Sequence, residues 1–251
     1  MNPQATIDQI QYIFTFPFKD EKWGTKFLIA FLFYIGSFVI PIIPLIFVLG
    51  YVARIIENVI KENDFSLPEW DDWGDLAIKG LEIIGVSLVA AIPLVLFYGC
   101  GLFSFLAPIF ALSGDNEGMF SGLMLSGIFG GMCLFGIGTI IWLVIGLFLP
   151  PAISHMIAEE SFGAAFHVSG WWRNFKANLG GYLITYVLLV GILGIMYLGF
   201  YLMYMTLVLC WLLPFILSAF AVYAGFVSAA LFGQAYRTGK ENLEGELSTQ
   251  Q

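Results

Sequence analysis

The sequence predicts an all-α, polytopic integral membrane helical bundle, and three observations carry that expectation. Hydrophobic residues make up 59% of the 251 and charged residues only 11%, against about 25% charged in an ordinary soluble domain. Charge is absent over long runs: Phe27 to Ala53, Ile83 to Gly114, Gly118 to Ala158 with His155 as the one titratable imidazole, and Ala177 to Tyr236. Roughly 20 apolar residues cross a bilayer core as a helix, so the last run holds two crossings. Between the runs the apolar residues recur at helical spacing: Val52, Ile55, Ile56, Val59 and Ile60 form one stripe with Arg54, Glu57, Asn58 and Lys61 opposite.

Residues 1–26 read as an interfacial segment. Ile7, Ile10 and Phe14 share a helical face among Gln4, Asp8 and Gln11, while Phe16, Phe18 and Trp23 surround Pro17 and Lys19, Lys22 and Lys26 mark a water-facing edge. Residues 27–62 contain Pro41-Ile-Ile-Pro44 inside an apolar run. Proline removes a backbone donor and clashes with the preceding turn, so the run is either one bent span or a hairpin with the proline pair at its tip.

Charge placement selects the hairpin. The ten basic residues are Lys19, Lys22, Lys26, Arg54, Lys61, Lys79, Arg173, Lys176, Arg237 and Lys240, and none lies in the loop Gly114-Asp-Asn-Glu-Gly118. Basic residues of short loops stay cytoplasmic, so a hairpin puts all ten on one side, whereas a single span strands Lys19, Lys22 and Lys26 outside. The expected order is then the hairpin with its amphipathic extension (27–62), an acidic cytoplasmic loop (63–76), spans at 77–113 and 119–149, a cytoplasmic amphipathic segment (150–178), spans at 179–205 and 208–236, and a polar tail (237–251). In the second amphipathic segment Phe162, Ala165, Phe166, Ser169 and Trp172 are expected to share one helical face, with Ser161 as N-cap. Both termini are expected in the cytoplasm and the protein in the cell membrane. No basic stretch precedes a short apolar core, so a cleavable signal peptide is not expected.

The chemistry-bearing residues are few. Leu67-Pro-Glu-Trp-Asp-Asp-Trp73 lies in a stretch with six carboxylates, Glu62, Asp64, Glu69, Asp71, Asp72 and Asp75, and no base, together with Trp70 and Trp73. Acids at the start of the helix near Leu76 suit its dipole, and tryptophans suit the membrane interface. A basic protein partner is the second reading of the patch. A hard cation is the third, though the EF-hand order is absent. His155 and Glu159 are four apart, with only His167 as a further imidazole, which does not make a metal set. Cys100, Cys133 and Cys210 lack CxxC spacing and read as buried small hydrophobes.

No P-loop, GxGxxG or GxSxG is present, and no ionisable residue sits deep in a span, which argues against an ion-coupled carrier. A path for a neutral solute stays open, because Pro93, Pro108, Pro150 and Pro214 could break helices around a cavity. With sixteen acids against ten bases on the cytoplasmic side, nucleic acid is not an expected partner. Helix packing is expected at Gly127 and Gly131, and along Ala221, Gly225, Ala229 and Gly233, because small residues let backbones approach.

Several blocks resemble a known family. Pro17-Phe-Lys-Asp-Glu-Lys-Trp23, Gly50-Tyr51 with Arg54, Leu67-Pro-Glu-Trp-Asp-Asp-Trp-Gly-Asp75 and Lys79-Gly-Leu81 resemble the defining blocks of a prokaryotic multi-pass membrane family, domain of unknown function 4013. Glu160-Ser-Phe-Gly-Ala-Ala-Phe166 is similar to its second cytoplasmic block. The resemblance implies a bacterial or archaeal source and assigns no catalytic residue. The layout is also similar to other six-segment prokaryotic membrane domains, including one fused to some glycerophosphodiester phosphodiesterases, in architecture only.

The resulting expectation is a non-enzymatic interaction or accessory subunit without a cofactor, embedded in lipid and presenting an acidic cytoplasmic face to an unidentified protein. A permease-like component for a neutral or lipid-like solute is the alternative.

Overall fold

The computed structural model describes residues 3–110, 117–205 and 211–249. The Asp115 loop, the turn through 206–210 and Cys210 lie outside the described residues. Among the described residues the regular structure is helical, in eight α-helices: α1 (Pro3–Thr15), α2 (Trp23–Gly36), α3 (Ile43–Glu62), α4 (Trp73–Phe110), α5 (Glu117–Ala158), α6 (Val168–Ala177), α7 (Leu179–Met205) and α8 (Leu213–Thr249). Five of these, α3, α4, α5, α7 and α8, are long and apolar enough to cross a membrane; α2 is a shorter apolar helix. The protein is a multi-pass membrane protein.

The helix ends follow from local chemistry. Pro41 lies in the turn between α2 and α3, and Pro44 sits in the first turn of α3, where its missing N–H is no loss. Among the described residues three non-glycine residues have positive φ, and each stands at a helix end: Asn63 (56°) after α3, Asp72 (42°) before α4, and Glu160 (48°) after α5. Past α5 the Ser161 N–H bonds back to Met156 O at 3.2 Å, closing its last turn. At the start of α4 the Asp72 carboxylate accepts the Asp75 N–H at 3.2 Å.

The chain divides into two compact units, residues 1–84 with 151–251, and residues 85–150. In the first unit α8 is the central helix, touching α1, α2, α3, α6 and α7. Tyr51, Val59, Phe226 and Ala230 are fully enclosed there. The stripe on α8 faces α3: a Cβ added at Gly233 would lie 3.0 Å from Val59 Cβ, and one at Gly225 3.8 Å from Val52 Cγ2, while Ala229 is buried and Ala221 half-buried. A tighter crossing, not expected from the sequence, joins α3 to α4. A Cβ at Gly50 would overlap the Leu76 carbonyl, and one at Gly80 would overlap the Ile46 carbonyl.

In the second unit the remaining lengths of α4 and α5 pack on each other through glycine. A Cβ at Gly127 would lie 2.6 Å from Ser104 O, and one at Gly131 3.1 Å from Gly101 O. Tyr98 meets Phe135 with ring centroids 5.7 Å apart.

Three expectations are corrected. Residues 161–176 do not form one helix: a 3-10 turn at Phe162–Phe166 is followed by a break at His167 and then α6. The break resets the register, so Trp171, Asn174 and Phe175 are buried while Phe162, Phe166 and Trp172 are exposed, and Ser161 makes no side-chain cap. The polar tail, for which no secondary structure was expected, continues α8 to Thr249, aided by an Arg237–Glu241 ion pair one turn apart at 2.8 Å. Pro93 does not end α4, and α5 runs through Pro150 and Pro151. Cys100 and Cys133 are exposed on the chain's own surface, because a helix facing lipid need not bury its apolar side chains against protein.

Gly50→Ala or Gly80→Ala should therefore lower unfolding stability in detergent by about 1–3 kcal/mol, since a backbone carbonyl has to move. Gly191→Ala on α7 meets open space and should be neutral or stabilising by up to about 1 kcal/mol through helix propensity. Equal melting shifts for the three variants would contradict the α3–α4 crossing.

Candidate functional site

The residues of LPEWDDW form a strap across the α2–α3 hairpin, and their backbone is held before any carboxylate is considered. Lys26 of α2, only 5% exposed, donates from Nζ to Leu67 O at 2.6 Å and to Asp20 Oδ2 at 2.7 Å, with Glu69 Oε1 at 3.2 Å. Tyr51 of α3 donates its hydroxyl to Pro68 O at 2.7 Å, and Trp70 Nε1 donates to Lys26 O at 3.0 Å. The Trp70 ring stacks on Tyr51 at 4.1 Å and 10°, and packs beside Phe33 and Trp73. Tryptophan here fills a slot between two helices and ties its N–H to the backbone of one of them.

The carboxylates answer cations from elsewhere in the chain. Arg54 directs NH1 to Asp71 Oδ1 at 2.6 Å and Nε to Asp75 Oδ2 at 3.0 Å, with NH2 3.9 Å from Asp72 Oδ2. Its NH1 also reaches the carbonyl of Asp71 at 3.2 Å. Asp75 is shared with Lys79 at 3.0 Å, Lys79 pairs with Glu57, and Lys61 joins Glu57 at 2.8 Å to Glu160. Glu69 also faces Lys22 at 3.5 Å. Asp64 folds onto its own loop, accepting Ser66 N–H at 2.9 Å and Ser66 Oγ–H at 2.6 Å. Glu62 is exposed at the end of α3.

Of the residues singled out in the sequence, Glu69, Trp70, Asp71, Asp72, Trp73 and Asp75 thus come together, whereas Glu62 and Asp64 lie at its edge. Their cations were not associated with the patch in the sequence because the nearest stretch, 62–75, contains none. One signal was legible, the four-residue spacing of Asp75 to Lys79 and of Glu57 to Lys61. Burial raises the Asp20 carboxyl, but hydrogen bonds from Lys26 and from the Lys22 N–H outweigh that and hold it below the ordinary aspartate range.

Among the described residues no three His, Cys, Asp or Glu side chains converge, so His155 and Glu159 are not completed into a metal set. His155 Nδ1 pairs with the Tyr236 hydroxyl at 2.7 Å, and its ring closes against Gly170. Nearby, Asn174 Nδ2 donates to Tyr236 O at 3.1 Å and Asn178 Nδ2 to Ala235 O at 2.8 Å, fastening α6 and the start of α7 to α8.

A cavity of about 250 Å³ lies between α1, α7 and α8. Ile13, Ile184 and Leu231 line its apolar part; Asn178, Thr185 and Gln234 supply neutral polar groups. Gln234 Oε1 is buried there without a hydrogen-bond partner.

A family model, Protein of unknown function (DUF4013), matches residues 33–205, more than two thirds of the chain. The chain belongs to that family. No curated protein matches it, and no solved structure does. The DUF4013 match takes in Tyr51, Arg54, the whole LPEWDDW strap, Lys79 and Glu160, whereas Asp20 and Lys26 precede it and the central helix α8 follows it.

Arg54→Met should destabilise the protein by about 1–3 kcal/mol, because three carboxylates lose one largely enclosed cation. Asp71→Asn should cost less than about 1 kcal/mol, since that side chain is mostly in solvent. Thermal unfolding of the two variants checks the order. For Asp20 the depressed folded value means that its contribution is complete above the unfolded aspartate value of about 3.9 and is lost as pH falls through the folded one. The stability gap between the parent and Asp20→Asn should persist down to about pH 4 and close below it; a gap that widens on acidification would reverse the sign.

Proposed function

We propose that this DUF4013 protein is a non-enzymatic membrane subunit that presents an acidic, ordered face to a basic protein partner. One observation carries the reading: Lys26 and Arg54 are enclosed while Glu69, Asp71 and Asp72, which face them, stay largely in solvent, although Asp20 and Glu57 are enclosed too and Lys22 is exposed. The Arg54 side chain is 14% exposed, against 73% for Asp71 and 68% for Asp72. Lys61 is 35% exposed against 71% for Glu160. Around the hairpin, the acids Asp20, Glu57, Glu62, Asp64, Glu69, Asp71, Asp72, Asp75 and Glu160 outnumber the bases Lys22, Lys26, Arg54, Lys61 and Lys79. Ion pairing fixes the geometry of the face, and the unmatched charge gives it a sign that favours a basic surface.

The same reading places this layer, and both termini, in the cytoplasm of a prokaryotic cell. All ten basic residues belong to the first compact unit, and none lies in residues 85–150. That asymmetry supports the orientation because basic residues are retained on the cytoplasmic side.

Copurification from native membrane in mild detergent tests both the partner and its chemistry. The partner should be released by high salt and should be recovered at about a tenfold lower yield with Glu62→Lys and Glu160→Lys combined, since like charges now meet. A partner indifferent to salt and to the reversal would overturn the acidic-face reading. Impermeant thiol reagents should reach Asp64→Cys and Ser248→Cys only from the cytoplasmic side; labelling from outside would overturn the orientation.

The cavity beside Gln234 favours a second reading, a component that holds a neutral, lipid-like solute. Among the described residues its lining carries no titratable group, so the solute would have an apolar body and an uncharged hydrogen-bonding end. Mass measurement of the protein released intact from detergent distinguishes the two: a bound small molecule lost with Gln234→Leu supports this reading, and a bound polypeptide supports the first.

A further inference from the structure

The α2–α3 hairpin is flanked by charge and tipped by apolar side chains. The charge-free part of α2 after Lys26 is ten residues, Phe27 to Gly36, and that of α3 before Arg54 is eleven, Ile43 to Ala53. At 1.5 Å per residue these reach about 15 and 16 Å, half of a hydrocarbon core of about 30 Å. The length of α3 alone would let it cross, but its second half carries Arg54, Glu57, Lys61 and Glu62. Apolar helices of that reach are re-entrant or interfacial rather than spanning.

The crossing with α4 gives an independent measure of depth. Gly80 of α4 is seated on the Ile46 carbonyl of α3, and that glycine lies between Lys79 and Glu82. Ile46 stands four residues from the turn at Ile42, about 6 Å along the helix. The tip therefore extends only a short way beyond a charged turn of its neighbour. By contrast α7, without a charge in its 27 residues, is about 40 Å long.

The tip is suited to hydrocarbon. Val39 is 82% exposed, Phe38 65% and Ile42 63%. Four N–H groups of its turn are paired: Ser37 N–H bonds to Phe33 O, Phe38 N–H to Ile35 O, and the N–H groups of Val39 and Ile40 to Gly36 O, at 2.9–3.0 Å. Pro41 has no N–H to satisfy. Each such pairing lowers the cost of carrying backbone into a bilayer.

We infer that residues 27–53 form a monotopic wedge, inserted into the one leaflet next to the charged layer and not crossing to the other. The partner of the exposed tip is the acyl-chain region of that leaflet, and α4, α5, α7 and α8 alone cross the membrane. The wedge adds cross-section to one leaflet only.

The test uses the full chain, with its three native cysteines replaced by serine, reconstituted into phosphatidylcholine vesicles. A single cysteine is introduced as Val39→Cys, or as Ile195→Cys near the middle of α7, and each is labelled with an environment-sensitive fluorophore. Quenching is then read with lipids carrying a nitroxide near the headgroup or near the chain end. The shallow-to-deep quenching ratio at Val39 should be about twofold higher than at Ile195, in keeping with a tip confined to one leaflet of a roughly 30 Å core. An impermeant maleimide applied to the face opposite the charged layer should leave Val39→Cys unlabelled. Labelling from that face, or a quenching ratio at Val39 no higher than at Ile195, would mean that the hairpin crosses. Absence of quenching by either lipid would mean that the tip is covered by protein or water. Each of these results overturns the inference.

Discussion

An ammonium group withdrawn from water has to be given oxygen ligands in its place, and the charged layer of the first unit is organised by that requirement at Lys26. Its side chain is enclosed and bonded to the strap, so Leu67 O, Asp20 and Glu69 must all arrive at one point. Fixing Leu67 fixes Pro68, whose carbonyl takes the Tyr51 hydroxyl, and then Trp70, which stacks on Tyr51. Arg54 repeats the arrangement one step further along α3 and sets where α4 begins. The aromatic slot and the two cations thus determine each other, and the loss of any one leaves buried polar groups without partners.

The acid-rich strap consequently has two aspects. Towards the helices it is a set of backbone carbonyls and single carboxylate oxygens, each directed at a donor. Towards solvent it is an excess of negative charge held at fixed positions. Paired surface ions contribute little to stability on their own; here the enclosure of Lys26 and Arg54 raises the importance of the pairs, while the outer oxygens of Asp71 and Asp72 remain in water.

Much of the architecture was legible in the sequence because membrane constraints write themselves plainly: a charge-free run is long enough to cross or it is not. The hairpin could be read from Pro41, Pro44 and the one-sided lysines. Less could be read of the layer itself. The partners of Asp71 and Asp75 lie 17 and 21 residues away at Arg54, and a local reading of the patch could assign its acids only to a helix dipole. The register of residues 161–176 was misread since periodicity assumes an unbroken helix, and the break at His167 has no proline or glycine to announce it. Gly50 and Gly80 stand in the blocks that resemble the family, but their packing role is not legible there: each is a single small residue whose importance depends on a helix more than twenty residues away, whereas the α8 stripe repeats and can be seen.

Lys26 and Leu67 are 41 residues apart, which bears on the order of biosynthesis. When α2 and α3 first leave the ribosome, the strap has not been made, and the lysine has no carbonyl to receive it. The nascent hairpin therefore has reason to linger at the membrane surface, with its ammonium hydrated, until Leu67 to Trp73 emerge. Closure and the entry of α4 into the bilayer then become linked events, because the same seven residues latch the hairpin and begin the next helix. A chain truncated before Leu67 would carry two apolar helices and a lysine without its carbonyl partner.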